Sequence, residues 1–102
     1  YPAVLKNALD IASRPAGQSC WAGKPGAILT VSPGHMGGFG ASRHLRQVLS
    51  FLDIRMMNQP EGYIADITAA LDEQGAISDE RMQAHLRKAA TAINDWMEQQ
   101  AP

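Results

Sequence analysis

The sequence predicts an α/β fold built on a parallel sheet, of which these 102 residues hold only a portion. Residues 25–31 form a nearly continuous apolar run after Pro25, the pattern of a parallel strand buried on both faces. That run leads through a glycine-rich loop into an amphipathic helix and then a second short apolar run. Such a strand–loop–helix–strand unit packs right-handed in nearly all proteins. Two strands are too few for a stable open sheet, so residues outside this sequence are expected to complete it. The expected inventory is two strands with three to four helices.

The elements follow in order. Residues 2–14 read as a helix opened by Pro2, whose missing N–H is not needed in a first turn. Val4, Leu5, Ala8, Leu9 and Ala12 share one face; Lys6, Asn7, Asp10 and Ser13 lie largely opposite. Pro15 and Gly17 end it, and residues 18–23 form a loop with Cys20 and Trp21, the latter a packing residue. The first strand follows. Residues 32–40 are the glycine loop, and residues 41–52 a helix with Leu45, Val48, Leu49 and Leu52 inward. Residues 54–57 read as the second strand, 59–63 as a polar loop around Pro60 and Gly62, and 64–71 as a short helix. After a turn at 72–75, Ser78 is placed to cap a last helix with Asp79 and Glu80 in its first turn. Met82, Leu86, Ala89, Ile93 and Met97, with Trp96 beside them, form that helix's inward stripe.

Composition bounds the function. A net charge of −1 with 19% charged residues gives no basic stripe for nucleic acid. No apolar run approaches the length that spans a membrane, and the N-terminus lacks the pattern of a signal peptide. The single cysteine, Cys20, excludes an internal disulfide and suits a reducing cytoplasm. His35, His44 and His85 fall in different elements without metal-ligand spacing, so no metal site is expected.

The segment Ser32-Pro33-Gly34-His35-Met36-Gly37-Gly38-Phe39-Gly40 carries the chemistry. It leaves the C-terminal end of a parallel strand, where open α/β sheets bind ligands. It enters a helix, whose first N–H groups are free and carry partial positive charge. Glycines let backbone approach a flat ring closely. There is no Gly-Lys-Ser/Thr for a nucleoside triphosphate and no G-x-G-x-x-G for a dinucleotide. A flavin suits such a place, because its ring carbonyls accept backbone hydrogen bonds.

Longer words around the loop narrow this. PAVLKNALDIASRP (2–15), GKPGAILTVSPGHMGG (23–38), HLRQVLSFLDIRMMNQPE (44–61) and DEQGAISDER (72–81) occur in order. Together they resemble the C-terminal part of the NADPH-dependent FMN reductase family, which includes bacterial chromate and quinone reductases. The resemblance implies a flavodoxin-like three-layer sandwich, with residues 25–32 and 54–57 as the fourth and fifth strands of its parallel sheet. It implies FMN as cofactor, NADPH or NADH as co-substrate, and a quinone, metal oxyanion, azo compound or free flavin as the small-molecule acceptor. Ser32, Pro33, Gly34, Gly37 and Gly38 match the family loop beside the flavin ring, and His35 and Met36 fill its variable positions. No catalytic nucleophile or dyad is implied. The helix carrying Arg43 and Arg46, with the loop ending at Glu61, matches a subunit interface of a homodimer or homotetramer, where an Arg46–Glu61 contact is expected.

The family's Ser/Arg/Asn-rich phosphate loop and its Pro-Glu-Tyr-Asn motif have no counterpart here. Residues 1–102 are thus expected to be the C-terminal portion of one reductase domain and to bind FMN poorly alone. Two other readings stand beside this one: a non-catalytic flavodoxin-like fragment or interaction module without flavin, and a nucleotide-binding α/β protein that uses no flavin.

Overall fold

A computed structural model describes residues 1–101. The first helix, α1 (Ala3–Ala12), starts after Pro2, which takes the N-cap position in extended geometry. Only Leu9 of α1 is buried; Val4 and Ile11 stand exposed. Arg14-Pro15 is a cis peptide, and Gly17 at φ 83° turns the chain away. The loop is pinned back by Cys20 N–H to the Ala12 carbonyl (2.9 Å) and by the Trp21 indole N–H to the Leu9 carbonyl (3.0 Å). Trp21 is therefore a packing residue with its polar edge satisfied.

The apolar run forms two short strands, β1 (Pro25–Gly26) and β2 (Leu29–Val31). Helix α2 (Phe39–Phe51) follows, starting two residues earlier than the sequence suggests because Gly38 takes its N-cap at φ 81°. Strand β3 (Arg55–Met56) then pairs parallel with β1. The sequence reading of 59–63 as a loop needs correction, since Gly62–Ile64 is a strand, β4, and it pairs parallel with β2. Its three residues begin with Gly62 itself, two positions after Pro60, and are too few to show a strand period. The expected helix over 64–71 shrinks accordingly to α3 (Ile67–Ala70).

The two ladders are one pairing with an interruption. Pro25 lies opposite Arg55, but Leu29 lies opposite Gly62, so the second segment spends three more residues between the pairings than the first. The surplus is the loop around the cis peptide Gln59-Pro60. A Cβ on Gly62 would come 2.4 Å from Leu29 Cδ1, so the end of the Leu29 side chain would have to swing aside.

Leu9, Ile28, Leu49 and Leu52 form the core, with Trp21, Leu45, Val48, Ile54 and Met56 packed against it. The inward face expected for α2 is the observed one. The expectation that the first strand is buried on both faces is not met within this chain. Ile28 is buried, but Leu29 and Val31 remain 43% and 56% exposed. Only one face has a helix of this chain well packed against it. The last helix, α4 (Glu80–Gln100), contains no fully buried residue, and its apolar stripe is half covered. Its N-cap is Asp79, not Ser78: the Asp79 carboxylate accepts from Met82 N–H at 2.8 Å. The Ser78 amide is used instead against the Ala70 carbonyl. No helix among the described residues is long and apolar enough to cross a membrane.

Candidate functional site

Strands β2 and β4 run parallel and end together, and the glycine loop starts at that shared end. Ser32 ties it to the neighbouring strand: its N–H donates to the Ile64 carbonyl (2.9 Å) and its carbonyl accepts from Ile67 N–H (3.2 Å). The Ser32 hydroxyl oxygen accepts from Gly34 N–H at 3.0 Å, a local side-chain turn. The Gly34 carbonyl accepts from Asp66 N–H (3.1 Å) and, more weakly, Gly37 N–H (3.4 Å). The Thr30 hydroxyl donates to the Gly37 carbonyl at 2.6 Å. The loop is thus strapped to β2 and to the β4–α3 connection.

Two glycines owe their identity to this strapping. Gly37 sits at φ 60°, where a Cβ would meet Tyr63 Cβ at 3.0 Å and Ala65 N at 3.2 Å. Gly38 sits at φ 81°, where a Cβ would meet Thr30 Cβ at 2.7 Å. Both conformations disfavour L side chains. By comparison a Cβ on Gly34 would make only ordinary contact with Ser32 Oγ at 3.5 Å, and one on Gly40 would meet open space. The glycines at 37 and 38 thereby bring the loop backbone down onto the strand ends. The amides of His35, Met36 and Gly38 donate to no acceptor among the described residues. Together with the N-terminus of α2 they offer a row of unpaired donors. An acceptor-rich ring edge fits this row. The seven sequence-identified residues, Ser32 to Gly38, make up this loop: Pro33, Gly34, His35 and Met36 are exposed, Ser32 and Gly38 half-buried, and Gly37 buried against β4.

Beyond the loop lies a cluster that sequence reasoning found only in part. Arg43 on α2 forms an ion pair with Glu61, and it also donates to the Tyr63 hydroxyl at 3.2 Å. The Tyr63 hydroxyl in turn donates to Glu61 Oε2 at 2.7 Å. The Arg43 guanidinium lies 5.1 Å from the Phe39 ring centre, and Phe39 packs tilted on Tyr63. The Tyr63 hydrogen bond holds the Glu61 carboxyl below its ordinary range; partial burial opposes this, and Arg43 reinforces it. Arg46 does not reach Glu61 within the chain. It donates to the Met57 carbonyl (3.3 Å) and to Asn58 Oδ1 (3.4 Å), while its Nε is buried without a partner. Sequence reasoning missed Tyr63 and Asp66. Tyr63 becomes visible only once β4 is recognised, and Asp66 only through its αL backbone at φ 52°.

An apolar cavity of about 140 Å³ lies elsewhere, between the sheet and α4, lined by Ile28, Leu29, Met57, Gly62, Ala89 and Ile93 among others. It is smaller than the few hundred Å³ of a usual cofactor pocket.

The family model for NADPH-dependent FMN reductase matches residues 1–70. A quinone reductase from Pseudomonas putida is 47% identical over 95 residues, covering 90% of this chain and 51% of that protein. A 2-hydroxy-1,4-benzoquinone reductase from a Burkholderia species is 48% identical over 96 residues, covering 94% and 52%. The chain spans about half the length of the curated relatives it matches. Among solved structures, FerB from Paracoccus denitrificans, a flavoenzyme NAD(P)H:(acceptor) oxidoreductase, superposes with a TM-score of 0.87 at 38% identity. The match covers 98% of this chain and 55% of that one.

Proposed function

Because this chain belongs to the NADPH-dependent FMN reductase family, we propose that residues 32–38 hold the ring edge of FMN in an NAD(P)H-dependent oxidoreductase that reduces quinones. One observation supports this most. The loop presents unpaired amides at the joint end of two parallel strands, directly before a helix N-terminus. FMN, when bound, would supply the two-electron chemistry between nicotinamide and acceptor. The chain's own residues do the positioning. Gly37 and Gly38 set the height of the loop, Thr30 and Ser32 lock it, and the free donors of His35, Met36 and Gly38 would hold the ring's acceptors. Metal oxyanions, azo compounds and free flavin belong to the same proposal as further acceptors, since an open ring face is permissive.

The reading extends to the assembly. Residues 1–102 form the C-terminal portion of a reductase domain, and a preceding half supplies the phosphate cradle and further strands. The exposed Leu29 and Val31 and the doubled length of the relatives support this. The α2 face with Arg43 and Arg46, beside Glu61, forms a subunit boundary of a homodimer or homotetramer. The enzyme works in the cytoplasm, where exposed Cys20 stays reduced. The test is anaerobic addition of NADPH to the full-length FMN-loaded protein, then benzoquinone. Bleaching of the flavin followed by recovery of its colour supports the proposal, and an unbleached flavin rejects it.

A further inference from the structure

We propose that His35, oriented by Asp66, delivers the proton that accompanies two-electron reduction of a quinone at this loop. The inference rests on the quinone-reductase reading above and adds a residue role to it. His35 Nδ1 lies 3.0 Å from both Asp66 carboxylate oxygens. A carboxylate only accepts, so Nδ1 carries the hydrogen of that contact, and Nε2 on the far side of the ring is left as the working nitrogen. That side is open, with the His35 side chain 92% exposed. Asp66 is itself fixed by the strapping of the loop. It holds an αL backbone at φ 52°, its N–H donates to the Gly34 carbonyl, and the next amide donates to Ser32. The carboxylate and the imidazole are therefore both tied to the segment that faces the ring.

Two other hydroxyls near the loop have their protons committed: Thr30 donates to Gly37 and Tyr63 donates to Glu61. The Ser32 hydroxyl oxygen accepts Gly34 N–H and keeps its own proton, but a neutral alcohol is a far weaker acid than an imidazolium. His35 alone among these combines an oriented ring with a free nitrogen at the loop tip. Reduction of a quinone to a hydroquinone takes up a hydride equivalent and a proton. The hydride equivalent, with its electron pair, originates on nicotinamide and arrives through the cofactor, leaving a hydroquinone monoanion. The phenolate oxygen of that anion forms an O–H bond as the Nε2–H bond of the His35 imidazolium breaks, its electron pair staying on nitrogen. The neutral imidazole then takes a proton from solvent. Asp66 touches no substrate and acts as a positioning residue through His35.

The experiment compares His35→Ala, His35→Gln and Asp66→Asn in the full-length FMN-loaded protein. Reoxidation of the reduced protein is timed with benzoquinone and with ferricyanide, a one-electron acceptor that takes up no proton. The ratio of the two rates is internal, so partial loss of folded or loaded protein cancels. It is expected to fall about 100-fold in both His35 variants, at the low end of general-acid contributions, and about tenfold in Asp66→Asn. A titration of the oxidised protein with hydroquinone, read from flavin absorbance, separates binding from proton delivery. Binding is expected to weaken about tenfold in His35→Ala and to hold in His35→Gln, whose amide keeps a donor. An unchanged rate ratio in all three variants overturns the inference while leaving the reductase reading intact. A protein that NADPH cannot bleach rejects that reading and this inference with it.

Discussion

Gly38 lies so close against Thr30 that a Cβ on Gly38 would stand 2.7 Å from Thr30 Cβ, with Thr30 Oγ1 a further 0.3 Å away at 3.0 Å. The contact sets the height of the loop over the strand ends. Gly38→Ala combines a left-handed backbone with a steric overlap and is expected to lower stability by about 2–4 kcal/mol. Gly40, inside α2 with open space where its Cβ would be, gives the control. Gly40→Ala is expected to leave stability equal or raise it by about 0.5–1 kcal/mol. Urea unfolding of the two variants checks the contrast; equal losses would show that the loop can shift to make room.

Glu61 predicts a pH effect. Its carboxyl is held below the ordinary range chiefly by the Tyr63 hydroxyl. A group with a depressed folded pKa contributes stability that is present above its unfolded pKa, about 4.3 for Glu, and is lost as pH falls through the lower folded value. The urea midpoint is thus expected to drop between about pH 5 and pH 3, and to drop less steeply in Tyr63→Phe. Parallel acid slopes in the two proteins would remove Tyr63 as the cause.

Trp21 joins α1 to the core through packing and through its indole bond to the Leu9 carbonyl at 3.0 Å. Trp21→Phe keeps an aromatic ring and loses the donor, with an expected cost of about 1–2 kcal/mol. Thermal unfolding checks it, and a loss within error would mean that water replaces the indole.

Helix α4 leans on its cap, since it buries no residue fully. Asp79→Ala is expected to cost about 1 kcal/mol and to speed amide hydrogen exchange in the first turn of α4 ahead of the rest of the chain. Ser78→Ala, one residue earlier, is expected to leave that exchange unchanged, because the Ser78 contact is made by its backbone amide. Exchange rates that rise equally in both variants would place the cap elsewhere.

These cases also mark how far the sequence reaches. The helices at 3–12, 39–51 and 80–100 were legible because apolar spacing at the helical period is a repeated signal. The glycine loop was legible as a loop between a strand and a helix, and the words flanking it carried the family. Strand β4 was not, because three residues that start on a glycine just after a proline carry no period, and its pairing with β2 is a long-range fact. Everything that depends on β4 was hidden with it: Tyr63 over Glu61, and Asp66 beneath His35. Gly37 and Gly38 stood out as glycines, but their reason did not. It lies in Tyr63 and Thr30 beneath them, as much as in any ring above.

The central claim is that this loop holds one edge of a flavin whose phosphate is held elsewhere in the domain. Titration with FMN, followed by quenching of flavin fluorescence, tests it in the full-length protein and in residues 1–102 side by side. The account predicts stoichiometric binding by the full-length protein and binding by residues 1–102 at least about 100-fold weaker, the loss of several charge-assisted phosphate contacts. A full-length protein that leaves flavin fluorescence unchanged would contradict it.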